Sequence, residues 1–208
     1  MENGNISGRR MVKYANTKSD PLCKWRNATV ETVVELVGFL PKTKMTKSSF
    51  RNYMSDYYDG SFFRTPYQLA LQLGLYCEEN DTYIPRFDHA ISKEEATAYM
   101  HKWMQRYYVP NPYTKKGFVN IYPPFNLLNA LVDYLNEHPD KPNLLTAGAA
   151  LIGGEMGNYL NVKYVLNNYS SIIYVDSNND MQLLVNRPGI VDVMVDRDDK
   201  IAFFEHFN

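Results

Sequence analysis

The chain has 208 residues, 45% of them hydrophobic and 22% charged, the profile of a folded globular protein with room for one large domain or two small ones rather than of a disordered chain. No apolar run approaches the roughly 20 residues that span a bilayer, and residues 1–20 hold no apolar core of a secretion signal, so the expected setting is cytoplasmic with no membrane partner. The net charge of −1 hides a division: residues 1–70 carry 11 Lys/Arg against 6 Asp/Glu, a balance of +5, and the remainder carries 11 against 17, a balance of −6.

Residues 1–27 are polar and basic and read as an arm. The segment 27–40, "NATVETVVELVGFL", places Val30, Val33, Val34 and Val37 at helical spacing behind Thr29 as N-cap. A second helix follows Thr46, with Phe50, Tyr53, Met54 and Tyr57 on one face. The third, in "RTPYQLALQLGL", starts at Thr65-Pro66, because proline at the first helical position sacrifices no hydrogen bond. Leu69, Ala70 and Leu73 form its apolar stripe and Gly74 its stop. "LYCEENDTYIPRF" then reads as a hairpin turning at "EEND". Three short helices and a hairpin are the order of a winged helix-turn-helix. "SKEEATAYMHKWMQRYY" adds a long helix opened by the capping-box pair Ser92 and Glu95.

Prolines 110, 112, 123 and 124 then interrupt the pattern, and proline cannot continue a helix. Beyond them the order repeats: a helix with Leu127, Leu128, Leu131 and Leu135 on one side, a small-residue helix from Thr146, a third over 158–169, and a hairpin around Asp176–Asp180. The expected fold is therefore mainly α with small β-hairpins (α+β), built of tandem winged helix-turn-helix units. The expected division is an arm over 1–27, a first unit with its strut helix over 28–110, a proline-rich connector over 111–124, and a second unit over 125–208. The last stretch, "GIVDVMVDRDDKIAFFEHF", reads as two strands around Arg197–Asp199.

A winged helix-turn-helix puts the start of its third helix at base edges. In the first unit that selects Arg64, Thr65, Tyr67, Gln68 and Gln72, with Lys42, Lys44, Lys47 and Arg51 placed to hold phosphates. In the second it selects Asn158, Asn161, Lys163, Tyr164, Asn167 and Asn168. Arg suits guanine, and Gln and Asn suit adenine. Ordinary solvated helix faces of a protein-binding module would carry the same residues.

Other chemistry finds little support. Cys23 and Cys77 form no C-x-x-C pair, and the four histidines lack metal-ligand spacing. The glycines at 148, 153, 154 and 157 lack the order of a phosphate loop and suit a tight turn where backbones approach. Asp192 with Asp198-Asp199-Lys200 has the composition of an acid and acid-x-Lys metal nuclease, but a triplet lying in a turn would not converge on Asp192. No cofactor or catalytic residue is expected.

Three stretches resemble the winged-helix DNA-recognition regions of AlwI-like and FokI-like restriction endonucleases: "RTPYQLALQLGLYCEENDTYIPRF", "SKEEATAYMHKWMQRYYVPNP" and "YPPFNLLNALVDYL". The resemblance covers roughly residues 28–190, and many prokaryotic winged-helix proteins share its motifs. It implies recognition of double-stranded DNA, with cutting left to a separate nuclease domain or subunit. The alternatives are a winged-helix module that holds protein partners in a larger assembly and, third, a metal-dependent nuclease using the acidic tail.

Overall fold

A computed structural model describes residues 5–6, 9–13, 22–58, 62–114, 119–186 and 193–208. Strands β1 (Asn5–Ile6) and β2 (Arg9–Lys13) open the chain as an antiparallel pair. They are followed by α1 (Val30–Phe39), whose cap Thr29 accepts from the Thr32 amide and which buries Val33, Leu36 and Val37. β3 (Met45–Thr46) runs straight into α2 (Lys47–Tyr57), where Thr46 caps the Ser49 amide and Phe50 and Met54 face inward. α3 (Thr65–Gln72) has Pro66 in its first turn, and its cap position is Arg64, which makes no side-chain cap bond. Gly74 ends it at φ +64, a left-handed conformation in which a side chain would also run into Phe207.

β4 (Tyr76–Glu79) and β5 (Thr82–Pro85) pair through the two-residue loop Asn80-Asp81, both residues at positive φ. That is the backbone of a type I′ hairpin turn, which Asn and Asp tolerate well. β3 adds to the other edge of β5, with Met45 opposite Tyr83 and Thr46 opposite Thr82, so the sheet order is β3-β5-β4.

α4 (Lys93–Arg106) carries the expected capping box, with both Ser92–Glu95 hydrogen bonds formed. Its buried face (Ala96, Tyr99, Met100, Trp103, Met104) packs on α1 and on elements of the second half. β6 (Tyr108–Val109) follows, then the cis Val109–Pro110 peptide. β7 (Val119–Tyr122) pairs with β2, and β8 (Phe125–Asn126) pairs with β6. α5 (Leu127–Glu137) is buried on most of its circumference, as a central helix must be. α6 (Leu144–Ile152) starts from Asn143, not Thr146, because the Asn143 side chain caps the Leu145 amide. α7 (Tyr159–Val165) continues as a π-helical turn over Leu166–Ser170, and β9 (Ile173–Val175) and β10 (Met181–Leu183) form an antiparallel hairpin. Asn143 bridges Asp180 at the open edge of that hairpin, where β3 joins β5 in the first half.

The architecture is α+β with small antiparallel sheets. Three expectations need correction. The arm over 1–27 is not free: β2 pairs with β7, and Leu22, Cys23 and Trp25 are buried. The connector over 111–124 is built into the fold: Asn111 is buried and donates to Tyr107 Oη at 2.9 Å and to the Tyr108 carbonyl at 3.1 Å, and β7 lies within the segment. The tail is not a strand on both sides of Arg197–Asp199. Asp199 accepts from the Ala202 amide at 2.9 Å and starts α8 (Lys200–Glu205), while 187–192 lies outside the described residues. α8 packs on β4, and the buried apolar residues from Leu22 to Phe207 form one connected cluster.

Candidate nucleic-acid interface

The start of α3 gathers exposed donors around a rigid element. Arg64, Thr65 and Gln68 are all exposed there, and Arg51 and Lys44 are exposed on the neighbouring α2 and the loop before β3. The exposed face is short. From Leu69 onward every residue of α3 is buried, and Lys24, Trp103 and Tyr107 close over its last residue, Gln72.

That cover removes Gln72 from the candidate readers. Gln72 is 1% exposed. Its Oε1 accepts from the Lys24 amide at 3.1 Å and from Tyr107 Oη at 3.0 Å, and its backbone carbonyl accepts from Trp103 Nε1 at 3.0 Å. Helical spacing aligns residues 64, 68 and 72, but spacing does not say where a helix enters the core. Gln72→Leu should cost about 1–3 kcal/mol, because it takes the acceptor from the buried Tyr107 hydroxyl and from the half-buried Lys24 amide without changing shape much. Urea unfolding measures this, and a variant with altered base preference but unchanged stability would put Gln72 back among the readers.

The other basic residues divide by partner. Lys42 Nζ is turned back onto the carbonyls of Val37 and Leu40 at the end of α1. Cations are favoured at a helix C-terminus, and partial burial lowers the ammonium pKa. Lys42 is therefore a cap, not a phosphate grip. Lys47 lies 3.1 Å from Glu78, a carboxylate only 5% exposed on β4. Tyr67 is half-buried, with its hydroxyl 3.5 Å from the same carboxylate. Burial raises its pKa first, and the Glu78 charge adds to that. Glu79 is matched by Lys200 at 3.5 Å, so both acids of β4 have a cationic partner.

Phe63 was not visible as a candidate in the sequence. It stands directly before Arg64, 36% exposed, with the Arg51 guanidinium 5.1 Å from its ring centroid. The available signal was the doublet "FFR": Phe62 is 2% exposed, and of two adjacent phenylalanines only one takes the core position.

In the second half most of the selected residues are committed to the fold. Asn158 caps α7 through the Leu160 amide. Lys163 donates to the Asp176 carbonyl. Asn167 exchanges two hydrogen bonds with the Val175 backbone, at 2.9 and 2.7 Å, tying the π turn to β9. Asn168 donates to the Tyr164 carbonyl at 2.7 Å. Asn158, Lys163, Asn167 and Asn168 thus each have a backbone partner in this conformation. Asn161 is half-buried, and Tyr164 is exposed beside Tyr169.

That half also exposes apolar side chains. Leu145, Tyr159 and Leu160 are exposed. A cavity of about 580 Å³ lies between α6 and the start of α7, lined by Leu144, Leu145, Gly148, Met156, Tyr159 and Val162 among others. The glycine-rich turn below it is tight as expected, since a Cβ on Gly157 would run into the Cys23 carbonyl.

The acid and acid-x-Lys arrangement does not assemble among the described residues. Asp199 is a helix cap, Lys200 pairs with Glu79, and no group of three or more His, Cys, Asp or Glu is placed to hold a metal ion. Asp192 lies outside the described residues. No helix among the described residues is long and apolar enough to cross a membrane. Comparison of the chain with known protein families, with curated proteins and with solved structures finds no match.

Proposed function

We propose that this chain is a sequence-specific recognition module for double-stranded DNA, built of two winged helix-turn-helix units of which the first reads bases. The observation that carries the reading is the connectivity of residues 30–85: α1, β3, α2, α3, β4, β5, with the last strand between the other two. A third helix whose first turn alone is exposed, and which presents Arg64, Thr65 and Gln68 there, supports its use as a major-groove reader. The second half repeats the order, with the Asn143–Asp180 bridge in the place of β3. The likeness of its motifs to restriction-enzyme recognition regions supports a role as the specificity part of a restriction or other DNA-defence system, with cleavage supplied by a separate nuclease domain or subunit.

One observation favours a second reading for the second unit. Exposed Leu145, Tyr159 and Leu160 around an open cavity suit a protein partner better than a phosphate backbone. The two readings part on salt. Selection from a random duplex library at two salt concentrations should return a defined site, bound more weakly at the higher salt. Replacing Lys44 and Arg51 by Ala should then lower the slope of log affinity against log salt by about 2, roughly 0.9 per lost phosphate contact. An unchanged slope moves the phosphate grip elsewhere. The absence of any enriched sequence removes the DNA reading in favour of protein interaction.

A further inference from the structure

We propose that Phe63 is a specificity residue that reads the 5-methyl group of a thymine in the major groove, beside the bases met by Arg64 and Gln68. This rests on the DNA-recognition reading of α3. Phe63 occupies the position just ahead of the α3 cap, so a helix that enters the groove by its N-terminus brings the ring in with it.

The ring is exposed and yet held. It makes edge or tilted contacts with Phe50 at 6.0 Å, Phe62 at 5.2 Å and Tyr67 at 5.7 Å between centroids, and Arg51 lies over one face. A single exposed apolar side chain needs no explanation by itself. What sets Phe63 apart is its fixed position among the exposed donors Arg51, Arg64 and Thr65.

The rest follows from the chemistry of the groove. Base edges there present acceptors and donors for which Arg and Gln are suited, and one apolar group, the thymine methyl, for which a hydrocarbon surface such as phenylalanine is suited. Stacking on an unpaired base would need a free ring face. With Arg51 over one face and only 36% of the residue exposed, the ring offers too little surface for that. The site is suited to a methyl-sized contact.

The test uses the full chain and the duplex it selects. Each thymine of that duplex is replaced in turn by deoxyuridine, which removes the methyl group alone. Affinity should fall about fourfold at one or two positions, the value of one buried methyl group. Phe63→Ala should bind the thymine duplex about as weakly as the native chain binds the deoxyuridine duplex, and should no longer distinguish the two. Phe63→Leu, which keeps an apolar side chain and protects against a folding defect, should still distinguish them. If the native chain selects a site but no deoxyuridine changes its affinity, the inference is wrong while the DNA reading stands. Persistence of the difference in Phe63→Ala has the same consequence. If the native chain selects no site at all, both fall.

Discussion

Phe203→Ala is expected to lower the unfolding free energy by about 3–5 kcal/mol, the range for truncating a buried aromatic side chain. Phe203 is fully buried on α8 and meets Tyr108 at 5.3 Å, Tyr113 at 5.4 Å and Phe207 at 4.9 Å between ring centroids. The loss combines lost transfer energy with a cavity. A domain is stable by only about 5–15 kcal/mol in total, so about a fifth or more of the stability is at stake. Phe204, with the Arg86 guanidinium 3.9 Å from its ring centroid, is less deeply placed, and Phe204→Ala should cost less. Urea unfolding of both variants provides the measurement. A loss below about 1 kcal/mol for Phe203→Ala would mean that α8 does not rest on β4 in solution.

The importance of α8 could have been read from its own residues. Asp199 followed by Phe203, Phe204 and Phe207 has the spacing of a capped helix. The alternating pattern of 190–195, carried forward, concealed it. The elements that were legible are those with local causes: the caps Thr29 and Thr46, the Ser92–Glu95 box, the Thr65-Pro66 start and the Asn80-Asp81 turn each act within a few residues. The pairing of β2 with β7 joins residues about a hundred positions apart, and neither strand announces its partner. Trp25 sits in a polar stretch without periodicity, yet packs 5.2 Å from Trp103 and 5.0 Å from Tyr107.

The candidate interface divides the same way. Helical spacing finds the face shared by Arg64 and Gln68 but not the depth at which that face disappears, because the cover over Gln72 comes from residue 24 and from Tyr107. Asparagine shows a second limit. Its side-chain amide suits adenine and equally suits a backbone amide or carbonyl, and at Asn158 and Asn167 the backbone claims it. Composition cannot separate these uses, since the residue type is the same in both.

Arg64→Ala together with Gln68→Ala is expected to remove about 2–6 kcal/mol of discrimination between the selected site and unrelated duplex, at roughly 1–3 kcal/mol for each bidentate base contact. The two side chains lie one helical turn apart on the exposed first turn of α3, and residues four apart share a face. Their neighbours on the C-terminal side are all buried, so of the rest of α3 the exposed Thr65 and the half-buried Tyr67 remain near the groove. Binding to unrelated duplex should change far less, because that binding is phosphate attraction, and Lys44 and Arg51 remain. The single variants separate the roles: Arg64→Ala should relax preference at a guanine and Gln68→Ala at an adenine. The measurement is competition between the selected duplex and its single-base variants at fixed salt. Equal weakening on every sequence would make Arg64 a phosphate contact and leave α3 without a reading face. Unchanged preference in the double variant would transfer the weight of the account to the apolar surface of α6 and α7, and with it to a protein partner.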